Sequence, residues 1–473
     1  VPPFSLFFTY TRHRLHYIIV KMKRNKIFII IVSSIVILFT SLASYYFGAY
    51  SFYNKIFLFS APKKVTEKND FLKTAYRMIQ LKSYNAPNYS KYGGIDFLFN
   101  KLIYVEGDGT VYFFEKNLND KFVFKKIKSE KIPNNRNNFI KKYQKKYGNA
   151  RMTNYFGVRD IYIDKFDSFE NELLILSSLD YDIENDCHRL AVFSNQFIKL
   201  SHPELTKWKK IFVSKKCLEE DVHIDEKFPL SSAGGRIVKF DENHILLSVG
   251  DYAVDGYYSS EKFSQDLSND YGKIIKININ DLSNEIFSYG HRNPQGLFFV
   301  DQENIFSTEH GPYGGDELNI IYKNKNYGWP VATFGTAYNN YSGNLSSDEL
   351  IDASFEWPNE ITSNSHDGFQ KPIFSWGPRW GVSNLIVYKS GVIDKRWAGN
   401  FFISSLRAKT LTRMVFNKDN KSIIYAENIL IDKRIRDIVE SPDGKIVLLT
   451  DQEGGVDGYN EIPQIIFISK INK

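Results

Sequence analysis

The stretch Tyr289 to Gly296, YGHRNPQG, sets His291, Arg292 and Asn293 beside a proline and two glycines, where an ordinary strand or helix would show an apolar period. A guanidinium next to an amide can hold negative charge as it develops on a carbonyl-type oxygen, the chemistry of an oxyanion site. A second stretch, EHGPYGGDELN from Glu309 to Asn319, joins a Gly311–Pro312 turn to the Gly314–Gly315 pair, which lets several backbone oxygens point one way. With Asp316, Glu317 and the following NYGWP from Asn326 to Pro330, this is an oxygen-rich set that suits calcium. In RIRD, Arg434 and Arg436 stand two apart, so on a strand they project to one side as a fork for carboxylates, with Asp437 facing away to anchor one of them from behind. Each has a plain alternative: an Arg–Asn pair tying a turn to its neighbour, an acidic turn that binds nothing, and a surface pair on an edge strand.

The elements that must position these groups are legible as a repeat. Six times a turn residue leads into a short β-rich run: NKLIYVE from Asn100, NELLILS from Asn171, NHILLSV from Asn243, NIFSTEH from Asn304, NFFISSL from Asn400 and GKIVLLT from Gly444. The mean spacing of about 69 residues accommodates four strands and their connections, and no long apolar helix separates the runs. A six-bladed β-propeller is expected, because short four-stranded sheets bury both faces only when stacked radially. A pair of β-sandwiches is the rival. Loops from different blades converge at a propeller's channel, and the chemically dense segments do fall in different units: SAGGR, GHRNPQG, EHGPYGGDELN and RIRD.

The chain has 473 residues, 43% of them hydrophobic and 16% aromatic, enough for a sizeable core. Its net charge of +7 is spread along the sequence without a basic stripe, so no nucleic-acid partner is expected. The dense positive runs Lys125 to Lys131 and Lys141 to Lys146 read as a solvated, mobile insert. Residues 27–50 carry no charge and follow Lys21, Lys23, Arg24 and Lys26, the pattern of one membrane span with its positive flank inside. Met22 opens the positive segment and is the expected biological start. Small residues at Ser41 and Ala43 would also suit cleavage, but the length of the run favours an uncleaved anchor. Cys187 and Cys217 are either a disulfide of an oxidising compartment or two buried thiols.

GHRNPQG, EHGPYGGDELN, NYGWP and RIRDIVESPDG together resemble the aldose and glucose/sorbosone dehydrogenases that use pyrroloquinoline quinone and calcium on a six-bladed propeller. The resemblance covers roughly residues 90 to 470. It implies that Arg292 and Asn293 reach the quinone oxygens, and that the carbonyls of Gly311 and Pro312 bind the calcium that holds the cofactor. It further implies that Glu317 and the Tyr327 carbonyl belong to a second calcium shell, and that Arg434, Arg436 and Arg407 meet the cofactor.

The departures bear on activity. The family carries a histidine, its general base, four residues before the arginine of the third-blade motif, and SAGGR puts Ser232 there. A serine hydroxyl keeps its proton near neutral pH, and general-base catalysis is worth about 10²- to 10⁴-fold. Tyr155 stands for a family glutamine, Arg379 for a threonine or serine, and Arg407 for a lysine, whose geometry an arginine does not reproduce. His223, His291 and His310 are the histidines near enough in sequence to substitute for the base; His188, His202, His244 and His366 read as surface or packing residues.

The expected organisation is therefore a cytoplasmic segment 1–26, a signal anchor 27–50, a linker 51–85 and an all-β propeller 86–473. The expected activity is oxidation of a sugar or alcohol by hydride transfer to pyrroloquinoline quinone, in the periplasm at the inner membrane, with electrons passing to an acceptor of the respiratory chain. A non-catalytic propeller that binds carbohydrate or a protein partner is the alternative.

Overall fold

Each of the six β-rich runs forms the second strand of an antiparallel unit of four or five strands, because its alternating aliphatic and aromatic residues have a blade on either side to pack against. The computed structural model describes residues 67–88, 91–116, 122–148, 155–166, 168–198, 203–220, 230–256, 259, 261–335, 362–363, 366–451 and 462–471. The expected segments 1–26 and 27–50, with His202 and His223, lie outside the described residues. Among the described residues no helix is long and apolar enough to cross a membrane.

The innermost strands are Gly93–Leu98, Val158–Asp164, Gly234–Lys239, Pro294–Asp301, Val382–Val387 and Ile435–Glu440, one for each of blades one to six. Each lies beside the next, and the sixth returns to the first, so the ring closes. The sixth blade is assembled from both ends of the sequence: Met78–Asn85 pairs antiparallel with Gln464–Lys470, and Glu67–Lys73 adds an outer strand. The expected linker 51–85 is thus too long, since Glu67 to Asn85 belong to the sheet. Aliphatic and aromatic side chains fill the gaps between blades. Ile103, Val105 and Phe113 of the first meet Leu174, Leu176 and Phe193 of the second, all buried, each contributing roughly 1.5–3 kcal/mol.

Five of the six innermost strands bulge near their N-terminal ends, between Val158 and Asp160, Gly234 and Ile237, Pro294 and Gly296, Val382 and Leu385, and Ile435 and Asp437. A bulge re-aims the side chain at the extra position. It does so here for Arg159, Gln295 and Arg436 at one mouth of the channel.

The lysine-rich insert is not the loop expected. Arg136–Tyr147 is a helix whose Phe139 and Tyr143, four residues apart on one face, pack on Phe156 and Tyr181, while the lysines face solvent. Cys187 and Cys217 are joined as a disulfide, with Cα atoms 5.5 Å apart.

Candidate active site

The N-terminal ends of the innermost strands and the loops after the second strands meet at this bulged mouth. All of Ser232, Arg292, Asn293, Gly311, Arg434 and Arg436 belong to these segments, and they are joined there by Lys91, Tyr92, Tyr155 and Arg159.

Asn293 is held on every side. Its Oδ1 accepts from the Gly234 amide (3.1 Å) and Gln295 Nε2 (2.9 Å), and its Nδ2 meets His310 Nδ1 (3.3 Å). His310 Nε2 lies 2.6 Å from the Val382 carbonyl, which can only accept, so that nitrogen carries the proton and Nδ1 receives the amide. Burial holds His310 below its ordinary pKa and therefore neutral. Asn293 and His310 thus tie the third, fourth and fifth blades together, and His310 has both nitrogens engaged.

Arg292 is 7% exposed, donates from Nη1 to the carbonyls of Gly311 (2.9 Å) and His310 (3.3 Å), and lies 5.1 Å from the centre of the Trp329 ring. The turn beyond is crowded: a Cβ on Gly311 would stand 2.2 Å from the Gly314 oxygen and 2.5 Å from that of Gly315, so only glycine fits. Backbone oxygens do converge there, as the sequence suggests. Asp316, expected among the calcium carboxylates, is instead spent on backbone amides of Gly311, Trp380, Gly381 and Val382.

The expected fork of Arg434 and Arg436 does not form, because the bulge at Arg436 breaks the alternation that would align them. Arg434 reaches the Leu406 carbonyl at 3.4 Å. Arg436 turns Nε and Nη2 onto Asp451 and Nη1 onto Gln295 Oε1 (3.1 Å). Asp437 anchors neither arginine. It accepts from Arg236 (2.9 Å), Asn384 (2.8 Å) and the Ile95 amide (3.0 Å). Arg407 is exposed, and Arg379 stacks on Tyr313 at 3.6 Å, covering the turn rather than filling the space behind it. Ser232 is half-buried with left-handed backbone (φ 54°), and its carbonyl accepts from the Tyr252 amide.

Glu317 and Tyr327 fall in a separate buried cluster, together with four residues that sequence reasoning did not single out for it. Glu317 stands directly across the strand pair from Glu309. His291 Nδ1 lies 3.2 Å from Glu309, its ring stacks on Tyr327 at 4.4 Å, and Asn319 and His366 reach Glu317 at 3.2 and 3.5 Å. His366 is thus no surface residue. Burial pushes Glu309 up to about 8 and also raises Glu317, while it lowers His291 to about 3. Two buried carboxylates facing each other beside neutral imidazole are short of positive charge, and that oxygen-rich donor set fits a divalent cation. The Gly311 carbonyl fits less directly, since the Arg292 guanidinium already bonds it. For a polyanionic cofactor the mouth fits in charge: Lys91, Arg159, Arg292, Arg434 and Arg436 outnumber the nearby acids Asp251, Asp255, Glu309 and Asp451.

Below the mouth, Arg236 bridges the channel, bonding Asp160 (2.6 Å), Asp437 (2.9 Å) and the carbonyls of Gln295 and Arg436 (both 2.6 Å). A cavity of about 840 Å³ opens at the far end; it is lined in part by Asp437 and the residues after it in RIRDIVESPDG but by none of Ser232, Arg292, Asn293, Gly311, Arg434 or Arg436, so volume alone does not find this site.

Comparison with known proteins agrees with this geometry. The glucose/sorbosone dehydrogenase family matches residues 145–457. The aldose sugar dehydrogenase YliI of Escherichia coli (strain K12) is 33% identical over 238 residues, 47% of this chain and 58% of that protein. The quinoprotein glucose dehydrogenase B of Acinetobacter calcoaceticus is 29% identical over 235 residues, 39% of this chain and 49% of that one. The alignments therefore span about half the length of the curated relatives. The PQQ-bound aldose sugar dehydrogenase of Streptomyces coelicolor superposes with a TM-score of 0.53 at 16% identity, over 86% of this chain and 99% of that one, which shows a shared fold. This chain belongs to the glucose/sorbosone dehydrogenase family.

Proposed function

We propose that this propeller oxidises the hydroxyl of an aldose or related sugar, with pyrroloquinoline quinone as hydride acceptor. The observation that carries the reading is the excess of guanidinium and ammonium groups over carboxylates at one mouth, contributed by several blades and facing a half-open space. Bound there, the quinone would supply a two-electron acceptor. Arg292, Arg434 and Arg436 would hold its anionic groups, and Asn293 offers its second amide hydrogen. The Glu309–Glu317 cluster with Tyr327 would take calcium, and the Gly311 and Pro312 carbonyls would take a second ion on release of the Arg292 bond. The uncharged segment 27–50 would anchor the propeller at the periplasmic face of the inner membrane, close to a respiratory acceptor.

A second reading has its own support. Arg436 and Arg292 already have protein partners in Asp451 and Gly311, and Ser232 is no base, so the same mouth would serve a non-catalytic module that binds carbohydrate or a protein. Calorimetry of the exported domain with pyrroloquinoline quinone and excess calcium separates the two. Tight, calcium-dependent binding followed by dye-linked aldose oxidation is expected; no heat of binding removes the dehydrogenase reading.

A further inference from the structure

Tyr92 stands at the mouth one residue before the first innermost strand, and its backbone is left-handed (φ 64°), followed by Gly93 at φ 98°. A tyrosine held there is strained, and such strain concentrates at functional sites. The conformation turns the ring into the mouth. The guanidinium carbon of Arg159 lies 3.9 Å from the ring centre, that of Arg436 4.9 Å and the Lys91 ammonium 5.4 Å. The charge of Arg159 also favours the phenolate. Arg159 is 7% exposed and fixed by its own bonds to the carbonyls of Tyr155 (2.8 Å) and Leu230 (3.1 Å), and Leu230 is two residues from Ser232. The phenol therefore sits across one guanidinium from the loop in which the family's proton acceptor is missing. On its other side Arg436 leads through Gln295 to Asn293. Tyr92 is half-buried, so the mouth gives access to it.

We propose that Tyr92, as its phenolate, is the proton acceptor of the reaction, in the role that Ser232 cannot fill. The inference rests on the dehydrogenase reading. The substrate O–H bond breaks and its proton passes to the Tyr92 oxygen; the C–H bond breaks with its electron pair leaving as hydride for the quinone acceptor; the carbonyl C=O forms. Arg159 holds the phenolate before the transfer and keeps its own charge after it, when the phenol is neutral. Around the phenol stand Lys91 on its own loop, Arg159 and the Tyr155 ring from the second blade, and Arg436, with Asp451 behind it, from the sixth. Burial alone would raise the phenol, but Arg159, Lys91 and Arg436 together bring it below its ordinary value. Simple packing against guanidinium faces would need only a phenylalanine, and that difference is what the test reads.

Cofactor-free protein is titrated while the tyrosinate absorbance is followed, in wild type and Tyr92→Phe, with circular dichroism to confirm that both are folded. One tyrosine ionising below the rest, absent from the variant, is expected. With pyrroloquinoline quinone and calcium added, Tyr92→Phe should bind the quinone within about threefold of wild type yet lose about 10²- to 10⁴-fold in kcat, together with the acidic limb of the pH–rate profile. Ser232→His placed in that variant should restore part of the rate. Lys91→Met, which keeps the phenol but strips one cation, should move the acidic limb to higher pH. An unchanged kcat and acidic limb in Tyr92→Phe, or an unmoved limb in Lys91→Met, overturns the role of Tyr92 while leaving the dehydrogenase reading intact. A wild type that binds quinone and oxidises no aldose overturns both.

Discussion

The middle of the channel and its motif-bearing mouth are both built on arginine, but with opposite accounting of charge. In the middle, Arg236 is 3% exposed and every direction is answered from within: Asp160 from the second blade, Asp437 and a carbonyl from the sixth, a carbonyl from the fourth. Asp437 in turn takes the Ile95 amide of the first blade and Asn384 of the fifth, so one ion cluster touches all six blades. At the mouth, Lys91, Arg159, Arg292, Arg434 and Arg436 outnumber the acids, lean on the rings of Tyr92 and Trp329, and share the rim with left-handed Tyr92, Ser232, Tyr252 and Ala253. An arginine whose acids are built in holds the fold. A group of cations that outnumbers the acids around it is set for a ligand that brings more.

The sharpest way to break that contrast is Arg236→Leu. It leaves Asp160 and Asp437 buried without their cation, which should cost about 3–5 kcal/mol of unfolding free energy in urea. Arg434→Leu at the mouth should cost under about 1 kcal/mol. Equal losses would mean that the mouth, too, is architecture.

The reverse asymmetry should hold for binding. Arg434→Ala and Arg292→Ala each remove a charge-assisted donor from the mouth, so each should weaken pyrroloquinoline quinone by about 10- to 100-fold in calorimetry. The melting temperature should barely move for Arg434→Ala, whereas Arg292→Ala also leaves the Gly311 and His310 carbonyls without their donor and should lower it. Binding that survives both changes would take the polyanion away from this mouth.

The same contrast explains what the sequence disclosed. Second strands such as Leu173–Asp182 and Ile446–Thr450 are buried on both faces, so each opens on a run of four aliphatic residues and the sixfold repeat is visible in one dimension. The innermost strands, GGRIVK, PQGLFFVD and IRDIVE, carry the channel's polar residues and a bulge, which hides their period and misled the expectation that Arg434 and Arg436 share a side. The helix Arg136–Tyr147 escaped because Phe139 and Tyr143 are its two core anchors among lysines. Glu309 could have been found, since it mirrors Glu317 across the Gly-rich turn. Tyr92 could not: its meaning comes from Arg159 and Arg436 on two other blades, a proximity that only ring closure creates.

Protonation also separates the two regions. Asp96 lies below the Arg236 cluster, accepts the amides of Phe97 (2.7 Å) and Ile163 (2.6 Å), and is pushed up to about 8 by burial, with Asp437 and Asp160 adding to the rise. The two amides favour its charged form, but they do not offset desolvation beside two further carboxylates. A carboxyl raised in the folded state keeps a proton that the unfolded chain gives up near pH 4. Its contribution to stability is therefore full below that pH, declines as pH rises towards about 8, and is flat beyond, with a slope of at most about 1.4 kcal/mol per pH unit. Tyr92 runs the other way: its phenol is lowered on folding, so it adds stability as pH rises towards the ordinary tyrosine range. Urea unfolding from pH 5 to 8 should thus show a decline that Asp96→Ala makes shallower, whatever that variant costs overall, with Asp160 and Asp251 at about 7 and Glu309 at about 8 carrying the rest, and that Tyr92→Phe leaves in place. A slope unchanged in Asp96→Ala would place the titrating groups elsewhere, with the buried Glu309 as the next to remove.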